Sequence, residues 1–163
     1  MTKRKFMVFI WVSRLFIASF PLAGFAQTTA QSHRAPTLIK VGILRDPAFL
    51  DQGGCYLQLP ADYKKRNERY VFRSDYDDNA IINIDGKDTE LKPVSHRESK
   101  GGPKKSDRST GNYATKGTKV RVDFVVNGVC LHEECESVSY DATITVIRGP
   151  GKQVVKVKGS CGS

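Results

Sequence analysis

Residues 118–130 read Thr-Lys-Val-Arg-Val-Asp-Phe-Val-Val-Asn-Gly-Val-Cys, and residues 135–148 read Cys-Glu-Ser-Val-Ser-Tyr-Asp-Ala-Thr-Ile-Thr-Val-Ile-Arg. Apolar and polar side chains alternate along both runs, and many of the apolar ones are β-branched. This period-2 pattern is typical of strands with one buried face. After a Gly-Pro-Gly break, residues 152–161 read Lys-Gln-Val-Val-Lys-Val-Lys-Gly-Ser-Cys. The stretch therefore predicts three consecutive strands in an antiparallel meander.

Shorter runs of the same kind precede the meander and raise the predicted total to about seven or eight strands. A two-residue turn at Asp85-Gly86 fits a tight hairpin. The segment 61–69 lacks an apolar stripe, so it supports at most a helical turn. The predicted upstream strands are 38–44, Cys55–Leu59, Tyr70–Ser74, Ala80–Ile84 and Lys87–Lys92. Strands joined by tight turns predict an all-β fold, a small antiparallel barrel or sandwich stabilised by disulfides.

The segment 95–112 contains almost no apolar residues and includes Gly-Gly-Pro-Lys-Lys at 101–105. Such a segment has too little apolar surface to join a core. We predict a mobile loop at 95–112.

The N-terminus has the features of an export signal. A basic start is followed by an apolar run and by Gly24-Phe25-Ala26, which offers small residues before a cleavage point. We predict a signal peptide at 1–26, a flexible leader at 27–37 and one β domain at 38–163. Cleavage removes four basic residues and lowers the net charge from +9 to +5.

Four cysteines in an exported chain favour disulfides over metal binding or catalysis. Strand parity turns Cys55 and Cys161 toward the core and favours a bond between them. That leaves Cys130 and Cys135 for a local bond across a hairpin loop. Pairing these two opposes Val126 to a polar residue unless one extra residue forms a bulge, and Gly128 is the natural place for it.

Two groups of residues in the sequence are candidate metal ligands. Asp75, Asp77 and Asn79 reproduce the first half of a calcium loop, but Gly86 stands where a bidentate Glu is needed, and an Asp-rich turn explains the same residues. The cluster Cys130, His132, Glu133, Glu134 and Cys135 matches no structural zinc spacing. The chain has no Gly-x-Ser-x-Gly elbow, His-Glu-x-x-His or phosphate loop. We predict no enzyme activity, no cofactor and no metal.

Alternation in the meander also predicts a basic surface. If the apolar residues face inward, Lys119, Arg121, Lys152, Lys156 and Lys158 all face outward. Such a surface suits polyanions such as lipopolysaccharide, acidic glycan or nucleic acid. The alternative is that the lysines only protect an exposed sheet from edge-to-edge pairing.

Several runs resemble small exported bacterial proteins of no assigned activity. They are Tyr-Val-Phe-Arg-Ser-Asp at 70–75, Asn-Ile-Asp-Gly-Lys-Asp-x-x-Leu-Lys at 83–92, Val-Cys-x-x-x-x-Cys-Glu at 129–136 and Gly-Ser-Cys-Gly at 159–162. The resemblance covers most of the chain from Cys55 to Cys161 and implies no particular function.

The run Ile-Asp-Gly-Lys at 84–87, followed by Leu-Lys at 91–92, is similar to a strand pair in the periplasmic C-type lysozyme inhibitors. Those are small β-barrels whose first and last strands are joined by a disulfide, as a Cys55–Cys161 bond would do here. They block lysozyme with a Ser-Gly loop and a Lys. The corresponding segment here, 99–106, is longer and lacks the Ser-Gly-x-x-Tyr pattern.

Together these features predict a secreted or periplasmic, envelope-associated binding module. The expected partner is an anionic envelope polymer, and no membrane span is expected after signal cleavage. The alternative is a proteinaceous inhibitor of a secreted hydrolase such as lysozyme.

Overall fold

The computed structural model describes residues 38–45, 53–98, 102–130 and 137–162. The predicted signal peptide and leader lie outside these residues. The described part forms nine strands and one short helix. They are β1 (Val41–Gly42), β2 (Gly54–Gln58), α1 (Pro60–Lys64), β3 (Tyr70–Ser74), β4 (Ala80–Ile84), β5 (Lys87–Arg97), β6 (Arg108–Thr115), β7 (Thr118–Val129), β8 (Ser137–Arg148) and β9 (Gly151–Gly162).

All strand pairings are antiparallel, and eight strands close into a barrel. The sheet runs in the order β4, β3, β2, β9, β8, β7, β6, β5, and β5 returns to β4. The remaining strand, β1, pairs with the last two residues of β4, which follow the part of β4 that pairs with β3. The prediction of an all-β, disulfide-stabilised antiparallel fold is confirmed, and of the two predicted architectures the structure has the barrel.

The loop predicted at 95–112 has the wrong bounds. Strand β5 continues to Arg97 and β6 begins at Arg108, so Ser95 lies opposite Asn112 and Arg97 opposite Thr110. Both strands extend beyond the apolar core at this end of the barrel. Backbone pairing holds them there, and it leaves no apolar pattern in the sequence. The mobility of the shorter connection, 98–107, stays a prediction.

The first strand is also shorter than predicted. Only Val41–Gly42 of the segment 38–44 is a strand. The residues on either side of it are held by individual hydrogen bonds. Leu44 donates its backbone N–H to the carbonyl of Tyr70 at 2.7 Å, and Lys40 donates its N–H to Asp85 Oδ1 at 2.8 Å.

The barrel interior includes the side chains of the meander that the alternation assigned to it. Val120, Val122, Ile144 and Val146 of the meander are at most 2% exposed, and Leu57, Phe72 and Ile82 across the barrel are fully buried. Phe72 and Tyr113 meet edge to face with ring centroids 5.5 Å apart. Burying a Val, Ile, Leu or Phe side chain contributes about 1.5–3 kcal/mol each, so this core is the main stabilising term.

The pairing of β2 with β9 closes the barrel, and the predicted disulfide lies in it. Cys55 and Cys161 are directly opposed and bonded. Their bond closes a loop of 106 residues, which raises the free energy of the unfolded chain by roughly 5 kcal/mol in the chain-entropy account. Cys130 is disulfide-bonded too. Its predicted partner, Cys135, lies outside the described residues.

Local geometry in the hairpins follows the sequence closely. The register between β7 and β8 shifts between Val126 and Gly128, so that Val126 lies opposite Tyr140 rather than Ser139. This is the bulge that the parity argument required. In the turn between β4 and β5, Asp85 and Gly86 both have positive φ, 54° and 81°, as the predicted two-residue turn demands.

We expect the two isoleucines of β8 to respond oppositely to truncation. Ile144 faces the core, so Ile144→Ala should lower the free energy of unfolding by about 2–5 kcal/mol. Ile147 is 42% exposed on the outside, so Ile147→Ala should cost less than about 1 kcal/mol. Urea unfolding of both variants measures the difference. Equal losses would mean that β8 does not present the faces described.

Candidate functional site

The structure places all five predicted basic residues on one outward surface. Lys119 lies opposite Ile147, which lies opposite Lys152, and Arg121 lies two residues further along β7. Lys156 and Lys158 follow on β9, opposite Thr143 and Asp141. Directly opposed residues share a face, so the five side chains project from the same side of the sheet. We call the outward surface of β5–β9, which carries these five residues, the basic face.

Charge is distributed unevenly around the barrel. Residues 108–130 and 137–162, which include β6–β9, contain eight Lys and Arg residues against two Asp residues. Residues 53–98, which include β2–β5, contain eight Lys and Arg against nine Asp and Glu. The three glutamates that follow His132 in the sequence lie outside the described residues. Among the described strands, the excess positive charge is therefore concentrated on β6–β9. Strand β5, at the border of the basic face, carries Asp88 and Glu90 as well as Lys92 on its outward side.

Among the described residues, strands β3 and β4 offer no comparable outer surface. The outward residues of β3 and β4 are buried: Arg73 is 3% exposed, Ile81 5% and Asn83 1%. Asn83 donates to Asp88 Oδ1 and stands next to Gly42 of β1. The broad solvent-facing sheet of the described residues is the basic face.

Two of the five basic residues are neutralised by neighbours. The Arg121 guanidinium donates to both carboxylate oxygens of Asp123 at 2.7–2.9 Å, and Lys158 pairs with Asp141 across the strands. Partial burial acts to raise the pKa of Asp123, but the hydrogen bonds from Arg121 and Thr110 outweigh it and hold the pKa below its usual value. The hydrogen bond from Lys158 likewise lowers the pKa of Asp141. These two basic side chains therefore offer a ligand less charge than their number suggests.

Lys119, Lys152 and Lys156 form no ion pair with any described residue. All three are exposed. Edge protection does not explain Lys119, because β7 pairs there with both β6 and β8. Lys152 and Lys156 differ, since β9 pairs with β8 along its whole length but with β2 only from Lys158 onward. Protection of that edge is therefore an alternative role for these two lysines. These three lysines are the strongest candidates for binding an anion.

The sequence reasoning missed the apolar part of the same surface. Val94, Ile147 and Val154 are 67%, 42% and 50% exposed. Ile147 stands directly between Lys119 and Lys152, and Val154 is its diagonal neighbour on β9. Val94 and Ile147 line one groove of about 350 Å³ with Lys119 and Arg121. The missed signal is the adjacent pairs Val146-Ile147 and Val154-Val155, since one member of each pair must face outward in a strand.

The barrel end that carries the disulfide holds a second concentration of polar groups. His96 belongs to β5 rather than to a mobile loop, and its ring nitrogens lie 3.2 Å from Asp78 Oδ1 and 3.4 Å from Glu98 Oε1. A cavity of about 180 Å³ beside them is lined partly by Tyr113 and Tyr140. Burial, with the charge of Asp78, raises the pKa of Tyr113 to about 12. This tyrosine stays protonated at neutral pH, and its hydroxyl bonds to Ser74 rather than acting as a base.

The calcium candidates do not converge on a common point. Asp75 accepts the backbone N–H of Asn79 at 2.8 Å and its side-chain amide at 3.0 Å, so both carboxylate oxygens hold the turn. Asn79 Oδ1 accepts from Lys92 at 3.2 Å. Within the described ranges no group of three or more His, Cys, Asp or Glu side chains is placed to hold a metal ion. Of the zinc candidates, Cys130 is disulfide-bonded, and His132, Glu133, Glu134 and Cys135 lie outside the described residues.

Comparison with protein-family models, curated proteins and solved structures found no match to this chain. Among the described residues, no helix has the length and apolar character needed to cross a membrane. The site must therefore be interpreted from its own geometry.

The ion pair on the basic face gives a pH prediction. Arg121→Gln removes the hydrogen bonds that lower the pKa of Asp123, so that pKa should rise toward or above its usual value. A group with a lowered folded-state pKa stabilises the protein above its unfolded-state pKa, and this contribution is lost as the pH falls through the folded-state pKa. The variant should therefore lose less stability on acidification.

NMR titration of the Asp123 carboxyl measures the change. Lys156→Gln is the matched control, since it removes a charge from the same face without removing a hydrogen bond to Asp123. A shift of similar size in both variants would show that the general charge of the face, not the Arg121 pair, controls Asp123.

Proposed function

We propose that this protein is a secreted or periplasmic binding module that holds an anionic envelope polymer on its basic face. The observation that carries the proposal is the position of Lys119, Lys152 and Lys156. They are exposed, share one face of a closed barrel and make no ion pair with described residues. Unneutralised charges collected on one surface attract polyanions and speed their association.

The magnitudes favour several weak contacts acting together. One surface ion pair contributes about 0–1 kcal/mol, and salt screens it over about 10 Å at 0.1 M ionic strength. A polymer that spans the face meets three unpaired lysines at once, and it can also recruit Arg121 and Lys158 by displacing their aspartates. Binding of this kind is sensitive to salt because counterions are released from the polymer.

The proposed location rests on the cysteines and the N-terminus. A basic and apolar start with a small-residue cleavage pattern predicts export. The Cys55–Cys161 bond and the bonded state of Cys130 are compatible with an oxidising compartment outside the cytoplasm.

The test compares two triple variants that lose the same charge. Lys119→Gln/Lys152→Gln/Lys156→Gln removes the unpaired lysines of the basic face. Lys64→Gln/Lys65→Gln/Lys87→Gln removes three exposed lysines from α1, its C-terminal end and the start of β5. Purified lipopolysaccharide, polygalacturonate and duplex DNA are the probes, and binding is measured between about 50 and 200 mM salt.

Wild type should bind at least one probe with an affinity that falls steeply with salt. The basic-face variant should lose about tenfold or more at low salt and show a flatter salt dependence, while the control should stay within about twofold of wild type. Thermal midpoints should be nearly unchanged, since all six lysines are exposed. Wild type without salt-sensitive binding to any probe, or equal losses in both variants, would overturn the proposal.

Inhibition of a secreted hydrolase such as lysozyme is the second candidate. One observation favours it: β2 and β9, the strands of the ring nearest the two ends of the chain, are joined by Cys55–Cys161. The resemblance to the C-type lysozyme inhibitors implied this arrangement. We expect a muramidase assay on cell-wall substrate to show inhibition at equimolar protein if this candidate is correct. An unchanged lysis rate at a large molar excess would exclude it for that enzyme.

A further inference from the structure

Exposed aliphatic side chains lie among the lysines of the basic face. Six large hydrophobic side chains are exposed among the described residues, and three of them, Val94, Ile147 and Val154, lie on this one face. The other three lie in separate segments: Leu38 in the residues before β1, Tyr63 in α1 and Tyr76 in the turn after β3. Exposed apolar groups collected on one surface mark an interaction site more often than scattered ones do.

The apolar and basic side chains alternate across neighbouring strands. One row across the sheet reads Lys92, Ala114, Lys119, Ile147 and Lys152 on β5 to β9. Neighbouring strands are about 4.8 Å apart, so Lys119 and Lys152 flank Ile147 at about 5 Å on either side. Val154 adjoins Ile147 diagonally. This arrangement places Ile147 between two lysines and Val154 next to Lys152 on the same face of β9.

Val94 lies on the outer surface at a bulge. The register between β5 and β6 shifts between Pro93 and Ser95, so Val94 has no partner in the ladder. It shares the groove of about 350 Å³ with Ala114, Lys119 and Ile147. Alternation from Lys92 and Pro93 already turns Val94 outward, and the bulge turns Ser95 outward beside it. Val94 is thus a third aliphatic group on the face.

A soluble polyanion uses only half of this arrangement. A sulfated, carboxylated or phosphorylated chain in water can neutralise the lysines, but it leaves the aliphatic groups against a hydrated polymer. An anionic lipid surface satisfies both, because phosphate groups meet the ammonium groups while glycerol and acyl carbons meet the aliphatic side chains. Lysine suits this role since its methylene stem lies along apolar surface while its charge stays at the level of the headgroups.

We infer that the basic face docks on the surface of an anionic lipid membrane, with Ile147, Val154 and Val94 entering the boundary between headgroups and acyl chains and the lysines of the face contacting phosphates. This inference rests on the proposed function and narrows its ligand from polyanions in general to anionic lipid headgroups. The face suits a membrane geometrically because it is the solvent-facing side of a continuous sheet of long strands, and the groove of about 350 Å³ lies on that same side.

The test separates the apolar contribution from the charge. The face variant is Val94→Thr/Ile147→Thr/Val154→Thr, which keeps β-branched side chains and therefore strand propensity. The control is Leu38→Thr/Tyr63→Thr/Tyr76→Thr, which removes the three exposed hydrophobic groups located elsewhere. Full-length mature protein is titrated with three probes: phosphatidylcholine vesicles containing an equal share of phosphatidylglycerol, pure phosphatidylcholine vesicles, and long-chain inorganic polyphosphate.

Wild type and control should bind the anionic vesicles and polyphosphate, and they should bind pure phosphatidylcholine much more weakly. The face variant should lose about tenfold or more in partition to the anionic vesicles while its polyphosphate affinity stays within about twofold of wild type. A far-UV spectrum and urea midpoint matching wild type confirm that the variant is folded.

The remaining outcomes are separable. If wild type binds polyphosphate but not anionic vesicles, or if the face variant binds vesicles as wild type does, the membrane inference is overturned and the proposed polyanion binding stands. If wild type binds neither anionic probe, both are overturned.

Discussion

The pairing of β2 with β9 is the contact on which the rest of the barrel depends. These strands come from opposite ends of the folded chain, and their register places Cys55 directly opposite Cys161. At Gly159, a Cβ would meet the backbone carbonyl of Tyr56, so the two strands approach more closely than any side chain at that position would allow. The disulfide therefore holds a pairing that backbone geometry already specifies. Without the β2–β9 pairing, β2 and the last five residues of β9 would each expose a free edge.

Strand pairing in the ring also decides which lysines could protect a sheet edge. In an open sheet, lysines along the outer strands are well explained as protection against edge-to-edge pairing. In the ring, β7 pairs on both sides at Lys119, so that lysine protects no edge. Lys152 and Lys156 precede the part of β9 that pairs with β2, and they lie beside an edge that pairs with β8 alone. The same closure turns Ile144 into the core and leaves Ile147 outside. Closure of the ring thus separates the core from the outward surface that carries the basic residues.

The parts of the fold that could be predicted are those where burial leaves an alternating pattern. In β7 and β8 nearly every second residue enters the core, so alternation alone gave their faces, the basic surface and the need for a bulge near Gly128. Strand β6 gave no such signal. Its inward positions include Gly111, where the Tyr113 side chain occupies the space that another side chain would fill. A Cβ placed at Gly111 would lie 2.7 Å from the Tyr113 hydroxyl oxygen. One tyrosine serves two core positions, so the period of two disappears from the sequence.

The position of the candidate site was predictable from the sequence, but the charge that each basic residue leaves available for a ligand was not. Parity gave the outward direction of all five basic residues. Only the structure shows that Lys158 lies opposite Asp141 and that Arg121 and Thr110 of β6 both bind the Asp123 carboxylate. These contacts shift the effective charge toward Lys119, Lys152 and Lys156. Meanwhile Asp75, Asp77 and Asp78 occupy the turn between β3 and β4, outside the strands that form the face. An anionic surface attracts the side formed by β6–β9 and repels the acidic turn, so in the proposed binding its field would orient the molecule before contact.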